Sequence, residues 1–269
     1  MHPKVCLHQI AMIAEPTEVF IQHCRDLGVE QMTLCTPLLF QDGVMDKAQA
    51  ELAQGGTHCH TVNHPLAMGR TLDTVGEEET EGLLRAIDIA AALKAPNIYM
   101  VSGGRGKLLW EQAAARFTEI VAPCLAPARE KGVRLLVETA SHLNADMHFA
   151  HTLDDTIRLA EIAGIEVCIE LAACWFEGGL REKFRRAVPK TGLVQIADYV
   201  PGDRSTPNRA VMGDGMVPNE WLVRELLDAG YRGVFDLELV GPRVEAEGPR
   251  IASKRAAENL SELLTRLGA

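Results

Sequence analysis

The chain is expected to fold as one closed (β/α)8 barrel, and three observations predict it. Short β-branched runs alternate with amphipathic helical stretches from one end to the other. The length of 269 residues is close to the ~250 of a single barrel. Three of the runs carry a glutamate close to their end, Glu138 in LLVET, Glu170 in VCIEL and Glu238 in VFDLEL, the place where parallel-barrel strands hand chemistry to their loops.

In order, strands are read at Val5–Met12, Gln31–Thr36, His58–Asn63, Asn97–Ser102, Leu135–Thr139, Val167–Leu171, Val194–Asp198 and Val234–Leu239. Among the helices, Glu77–Lys94 sets Leu83, Leu84, Ile87, Ala90, Ala91 and Leu93 on one face after an acidic first turn, which suits a helix N-terminus. Glu111–Lys131, Thr152–Ala163, Pro218–Ala229 and Ala252–Leu267 repeat the pattern and stop at Gly132, Gly164, Gly230 and Gly268. No linker or low-complexity tract interrupts them, so residues 1–269 read as a single domain. A dinucleotide fold would place glycines after its first strand, where this chain has AMIAEPTE. The one glycine-rich segment, SGGRGK at Ser102–Lys107, matches neither phosphate-binding fingerprint. Its plain reading is a tight turn; its functional reading lets Gly104 and Arg105 approach a polar ligand at the barrel mouth.

Composition narrows the partners. A formal charge of −10 opposes the phosphate attraction on which nucleic-acid binding rests. Seven scattered cysteines without a C-x-x-C pair predict reduced thiols and a cytoplasmic protein. No run reaches the ~18 uncharged residues of a membrane span, so the expected partner is a small molecule, with a homo-oligomer left open.

The glutamates carry the chemistry. On the last strand Asp236 and Glu238 alternate with Phe235, Leu237 and Leu239, so both carboxylates point into the barrel when the apolar face packs on helices. Like charges ~4 Å apart repel by roughly 4 kcal/mol at an effective dielectric of 20. Three converging carboxylates must then hold protons or share a metal. His58, His60 and His64 are expected on one face of the third strand, and His8 on the first, as pocket wall or ligands. His142, His148 and His151 follow the fifth strand and read as solvent- or substrate-facing. The expected substrate contacts are His8, His60, Gly104, Arg105, His142, Asp198, Arg204 and Arg209, the two arginines lying in Tyr199–Met216, a loop long enough to act as a lid. No G-x-S-x-G elbow marks a covalent hydrolase.

The stretches IDIAAALKAPNIYMVSGGRG, LLVET, VCIELAACWFE, LVQIADYV and VMGDGMVPNEWLVRELLDAGYRGVFDLELVG resemble the xylose isomerase-like TIM barrels, the sugar phosphate isomerases and epimerases grouped with family 2 AP endonucleases. The resemblance implies a divalent cation held by residues of the fifth to eighth strands, here Glu138, Glu170, Gln195 and Glu238, with Glu138 and Glu238 also moving protons. Relative to that pattern Glu170 stands for Asp, Gln195 for His, and Ala173 for the histidine of D-x-x-H. An all-oxygen donor set suits Mn²⁺ or Mg²⁺ better than Zn²⁺. The implied activity is a metal-dependent isomerase or epimerase of carbohydrate metabolism, acting on a small polyhydroxylated keto compound, a sugar or cyclitol. A lyase or dehydratase on the same scaffold is the alternative within enzymes. A sugar-binding barrel without catalysis is the alternative outside them, and an AP endonuclease fits the acidic charge least.

Overall fold

A computed structural model describes residues 1–269 and forms a closed parallel barrel of eight strands in sequential order. The strands are β1 (Val5–His8), β2 (Gln31–Cys35), β3 (His58–Pro65), β4 (Asn97–Val101), β5 (Arg134–Glu138), β6 (Glu166–Glu170), β7 (Thr191–Ile196) and β8 (Phe235–Leu237). All eight expected strands are present.

Side-chain alternation divides the apolar residues into two cores. Outward-facing Val5, Leu7, Met32, Leu34, Leu135, Val137, Val167, Ile169, Val194, Ile196, Phe235 and Leu237 join the large core beneath the helices. Inward-facing Cys6, Tyr99, Leu136, Cys168, Leu193 and Val234 form a separate six-residue plug inside the barrel. Two residues beyond Leu136, Cys168 and Leu193 on the same faces come Glu138, Glu170 and Gln195, and beyond Val234 come Asp236 and Glu238. The polar layer is thus stacked on the apolar one by the period of two.

Four local departures from expectation have physical causes. The expected helix over Glu111–Lys131 is divided into Trp110–Val121 and Leu125–Glu130 by a 3₁₀ turn at Ala122–Cys124, because Pro123 cannot donate in the ladder. β7 starts at Thr191 rather than Val194; Gly192 sits where a Cβ would lie 2.7 Å from Leu136 Cδ2, so its bareness admits the plug. β1 gives way after His8 to a 3₁₀ turn, Gln9–Met12. In β3 the register slips from Met32↔Cys59 to Thr33↔Thr61, a bulge that drops His60 out of the pairing. The expected common face for His58, His60 and His64 is therefore broken.

Candidate active site

Glu138, Glu170 and Glu238 do converge, and they do so around an arginine. The β7 loop, residues 197–218, folds inward so that Arg209 Nη2 donates to Glu170 Oε2 and lies 3.9 Å from Glu238 Oε2. Glu170 is wholly buried and Arg209 almost so. Neither of the two expected remedies for carboxylate repulsion, protons or a metal, foresaw a guanidinium supplied by the chain itself. Protons are part of the answer as well. Burial pushes the Glu138 carboxyl well above the usual carboxylate range, reinforced by the charges of Glu238 and Glu170. Burial also raises Glu170, to about 7, against the opposing pull of Arg209. Glu238 is raised by burial too, but Arg209, the Tyr99 hydroxyl and the Gln195 amide all draw it back.

A buried chain of hydrogen bonds orients Glu238. The Ile10 N–H donates to His8 Nδ1 at 2.9 Å, which fixes the neutral ring with its proton on Nε2. That proton meets the Tyr99 hydroxyl at 2.7 Å, and Tyr99 in turn donates to Glu238 Oε1 at 3.3 Å. Burial lowers the His8 pKa to about 3, so the ring stays neutral at working pH. His8, expected as a pocket wall, lies within the barrel and acts through Tyr99. Below Glu238, Asp236 accepts from Thr33 Oγ1 at 2.9 Å and is pushed up to about 7 by burial.

His148, expected with His142 and His151 to face solvent or substrate, is the one of the three set beside a glutamate. The loop after β5 brings its Nε2 to 3.9 Å from Glu138 Oε2. Its Nδ1 is buried without a partner, and burial depresses its pKa to about 3. It presents a neutral imidazole to the carboxylates.

The other expected contacts are distributed differently. The carboxylate of Asp198 is taken up by the N–H groups of Tyr199, Gly213 and Val217 at 2.8–2.9 Å, so it braces the loop. Gly215 is required there because a Cβ would fall 2.2 Å from Tyr199 O. Gly104 serves packing in the same way, since a Cβ would fall 2.4 Å from Asp146 O of the β5 loop. Arg105 donates to Leu108 O on the surface. His142 and Arg204 are exposed. His60 lies at the opposite end of the barrel, bonded to Thr61 Oγ1 and to Asn97, the first residue of β4; the bulge and its position early in β3 keep it from the mouth. His64 turns outward, to Thr36 Oγ1 at 3.0 Å.

By donor type the central residues fit a hard divalent cation. Three carboxylates face one guanidinium, and oxygen is the only donor element among the side chains of Glu138, Glu170, Gln195 and Glu238. Their present partners do not leave them free. Glu170 Oε1 accepts from Ala172 N–H at 2.8 Å while its other oxygen holds Arg209. The Gln195 oxygen, expected as a ligand, accepts instead from the Cys168 thiol at 3.2 Å. No three His, Cys, Asp or Glu side chains are gathered at ligating distance.

The xylose isomerase-like TIM barrel family matches residues 10–264. Among curated proteins, none matches the chain by sequence. Solved structures similar to it include a protein from Sinorhizobium meliloti 1021, 20% identical with TM-score 0.83 over 98% of each chain. An IolI protein with a bound zinc atom is 14% identical with TM-score 0.82, over 98% of this chain and 99% of its own. The D-psicose 3-epimerase of Clostridium cellulolyticum H10, solved with D-tagatose, is 15% identical with TM-score 0.76, over 96% and 98%. At these identities the likeness is one of fold.

Proposed function

The chain belongs to the xylose isomerase-like TIM barrel family, and from that premise we propose that it is an isomerase or epimerase of a small polyhydroxylated keto compound, a sugar or cyclitol. The reaction is proton abstraction α to the carbonyl by one carboxylate and return of a proton by another. The observation that carries the reading is the contrast between Glu138 and Glu238. Two carboxylates whose surroundings push their pKa values apart divide the roles of acid and base between them. Glu138, raised by burial and by both neighbouring glutamates, is the protonated member. Glu238, also raised by burial but drawn back by Arg209, Tyr99 and Gln195, is the more readily ionised member and takes the C–H proton. Arg209, once released from Glu170, and the neutral His148 bind and orient the substrate oxygens, and Arg204, on the same loop, adds a recognition contact for an anionic group.

The donor set supports a divalent cation held by Glu138 once it has released its proton, by Glu170 and Glu238, and by the Gln195 oxygen once its amide has turned, with Mn²⁺ or Mg²⁺ preferred to Zn²⁺. Such an ion, when bound, polarises the substrate carbonyl.

The test is exchange of substrate C–H hydrogen with D2O across a panel of keto sugars and cyclitols. A positioned acid or base contributes roughly 10²–10⁴ in rate, so Glu238→Gln and Glu138→Gln should each slow exchange at least a hundredfold while the fold persists. Exchange at the wild-type rate in Glu238→Gln would overturn the assignment.

A further inference from the structure

We infer that Arg209 is the cation this site carries for itself, and that the Arg209 guanidinium and a divalent metal ion hold Glu170 and Glu238 in alternation. Loading the site with metal then requires the Arg209 segment of the 197–218 loop to withdraw from the barrel mouth. The inference rests on the reading of the three carboxylates as the active centre, but it concerns binding and not turnover.

Four observations carry it. First, Arg209 is the positive side chain paired with the buried glutamates. It bonds one of these carboxylates directly and faces a second at 3.9 Å. A metal ion ligated by the same oxygens would meet that guanidinium at close range in a buried site, where like charges repel most strongly. Second, both Glu170 oxygens are already bonded, to Ala172 N–H and to Arg209, so an ion gains Glu170 only when the guanidinium lets go. Third, Glu170 is wholly buried and Glu138 and Arg209 almost so, while Glu238 keeps a partial opening to solvent. Arg209 covers the Glu170 side of the site.

Fourth, the outer attachments of the loop are of a kind that can be released. Arg243 pairs with Asp203 and Arg255 with Asp214 in half-exposed ion pairs, worth little individually. The exposed Thr206 hydroxyl donates to Asn144 Oδ1 of the β5 loop at 2.6 Å. The inner attachments are the Arg209 N–H to Val240 O at 3.0 Å, the two-bond bridge between Asp198 and Ala210, and the Asp198 carboxylate that braces Tyr199, Gly213 and Val217. Withdrawal breaks the Arg209–Val240 bond, whose amide reports the motion.

The experiment is Mn²⁺ titration of the full chain after chelator treatment, read by the electron paramagnetic resonance of free Mn²⁺. Arg209→Gln is expected to bind Mn²⁺ at least tenfold more tightly than wild type, whereas Arg204→Gln, at an exposed loop position, matches wild type. In wild type, Mn²⁺ should also speed hydrogen exchange at the Arg209 amide. Where Arg209→Gln does not fold, Arg209→Lys carries the test: it keeps the charge but has too short a reach to span both carboxylates, and it too should bind Mn²⁺ more tightly than wild type. Equal or weaker binding in the folded variant, wild-type loading with no change in exchange, or no Mn²⁺ bound by any variant would each overturn the inference. Loss of substrate C–H exchange activity with this pattern intact would sink the proposed reaction and leave the inference standing.

Discussion

Replacing Asp236 by asparagine should make the protein more stable at pH 8, although Asp236 lies at the heart of the barrel. Its side chain is fully buried, Oδ2 accepts from Thr33 Oγ1 at 2.9 Å, and Oδ1 has no partner. Burial moves its pKa from 3.8 to about 7, against the hydrogen bonds of Cys6 and Thr33. A carboxyl whose folded pKa exceeds its unfolded value binds its proton more tightly when folded. Stability is therefore highest below the unfolded pKa, falls as pH rises from about 4 to about 7, and is flat above. At 1.36 kcal/mol per pH unit, the whole window is worth roughly 4 kcal/mol and the part between pH 5 and 7 roughly 2–3 kcal/mol.

Asparagine has no proton to lose and keeps an oxygen for Thr33 to donate to. The difference in unfolding free energy, variant minus wild type, should thus grow by roughly 2–3 kcal/mol in favour of Asp236→Asn between pH 5 and pH 8. Urea unfolding of both proteins at the two pH values measures it, and the titrating groups that Asp236 does not influence cancel in the double difference. The reasoning fails if that difference is the same at both pH values, because Asp236 would then be ionised throughout and compensated by a partner other than Thr33 and Cys6.

Two further outcomes test the parts that hold the site. Tyr99→Phe removes the donor to Glu238 Oε1, one of the groups drawing the Glu238 pKa down; the acidic limb of kcat/KM should move to higher pH, and an unmoved limb would show that Tyr99 does not position the base. It also leaves the His8 Nε2–H without an acceptor, at a cost of about 1–3 kcal/mol in stability. Asp198→Ala strands the N–H groups of Tyr199, Gly213 and Val217, each worth about 1–3 kcal/mol where water does not reach it. A lower urea midpoint and faster tryptic cleavage after Arg204 should follow, and wild-type behaviour in both assays would refute the bracing role.

The barrel was legible because its two cores obey one rule. Period-two alternation separates Leu135 and Val137 from Leu136 and Glu138, and a reader of the sequence can count it. Where the alternation breaks, the cause is tertiary. The β3 bulge that removes His60 from the mouth leaves no mark in HCHTVNHP, since each residue is compatible with either register. Gly192 reads as a strand breaker until Leu136 is seen occupying the space beside it. The helix break at Pro123 could have been read from the proline alone.

The same division runs through the site. Convergence of Glu138, Glu170 and Glu238 follows from their shared depth at strand ends, so the sequence exposes the charges. Their compensation is not exposed, because it comes from an arginine 39 residues beyond Glu170, on a loop whose path is set by backbone bonds to Asp198. Charge repulsion in a buried site is an obligation that chain connectivity can meet from any loop able to reach it. Arg204 and Arg209, five positions apart in one segment and alike in chemistry, could not be told apart until the loop was folded: one lies in solvent and the other between the carboxylates. A site whose ligands are legible can still conceal the counter-ion that decides what binds there.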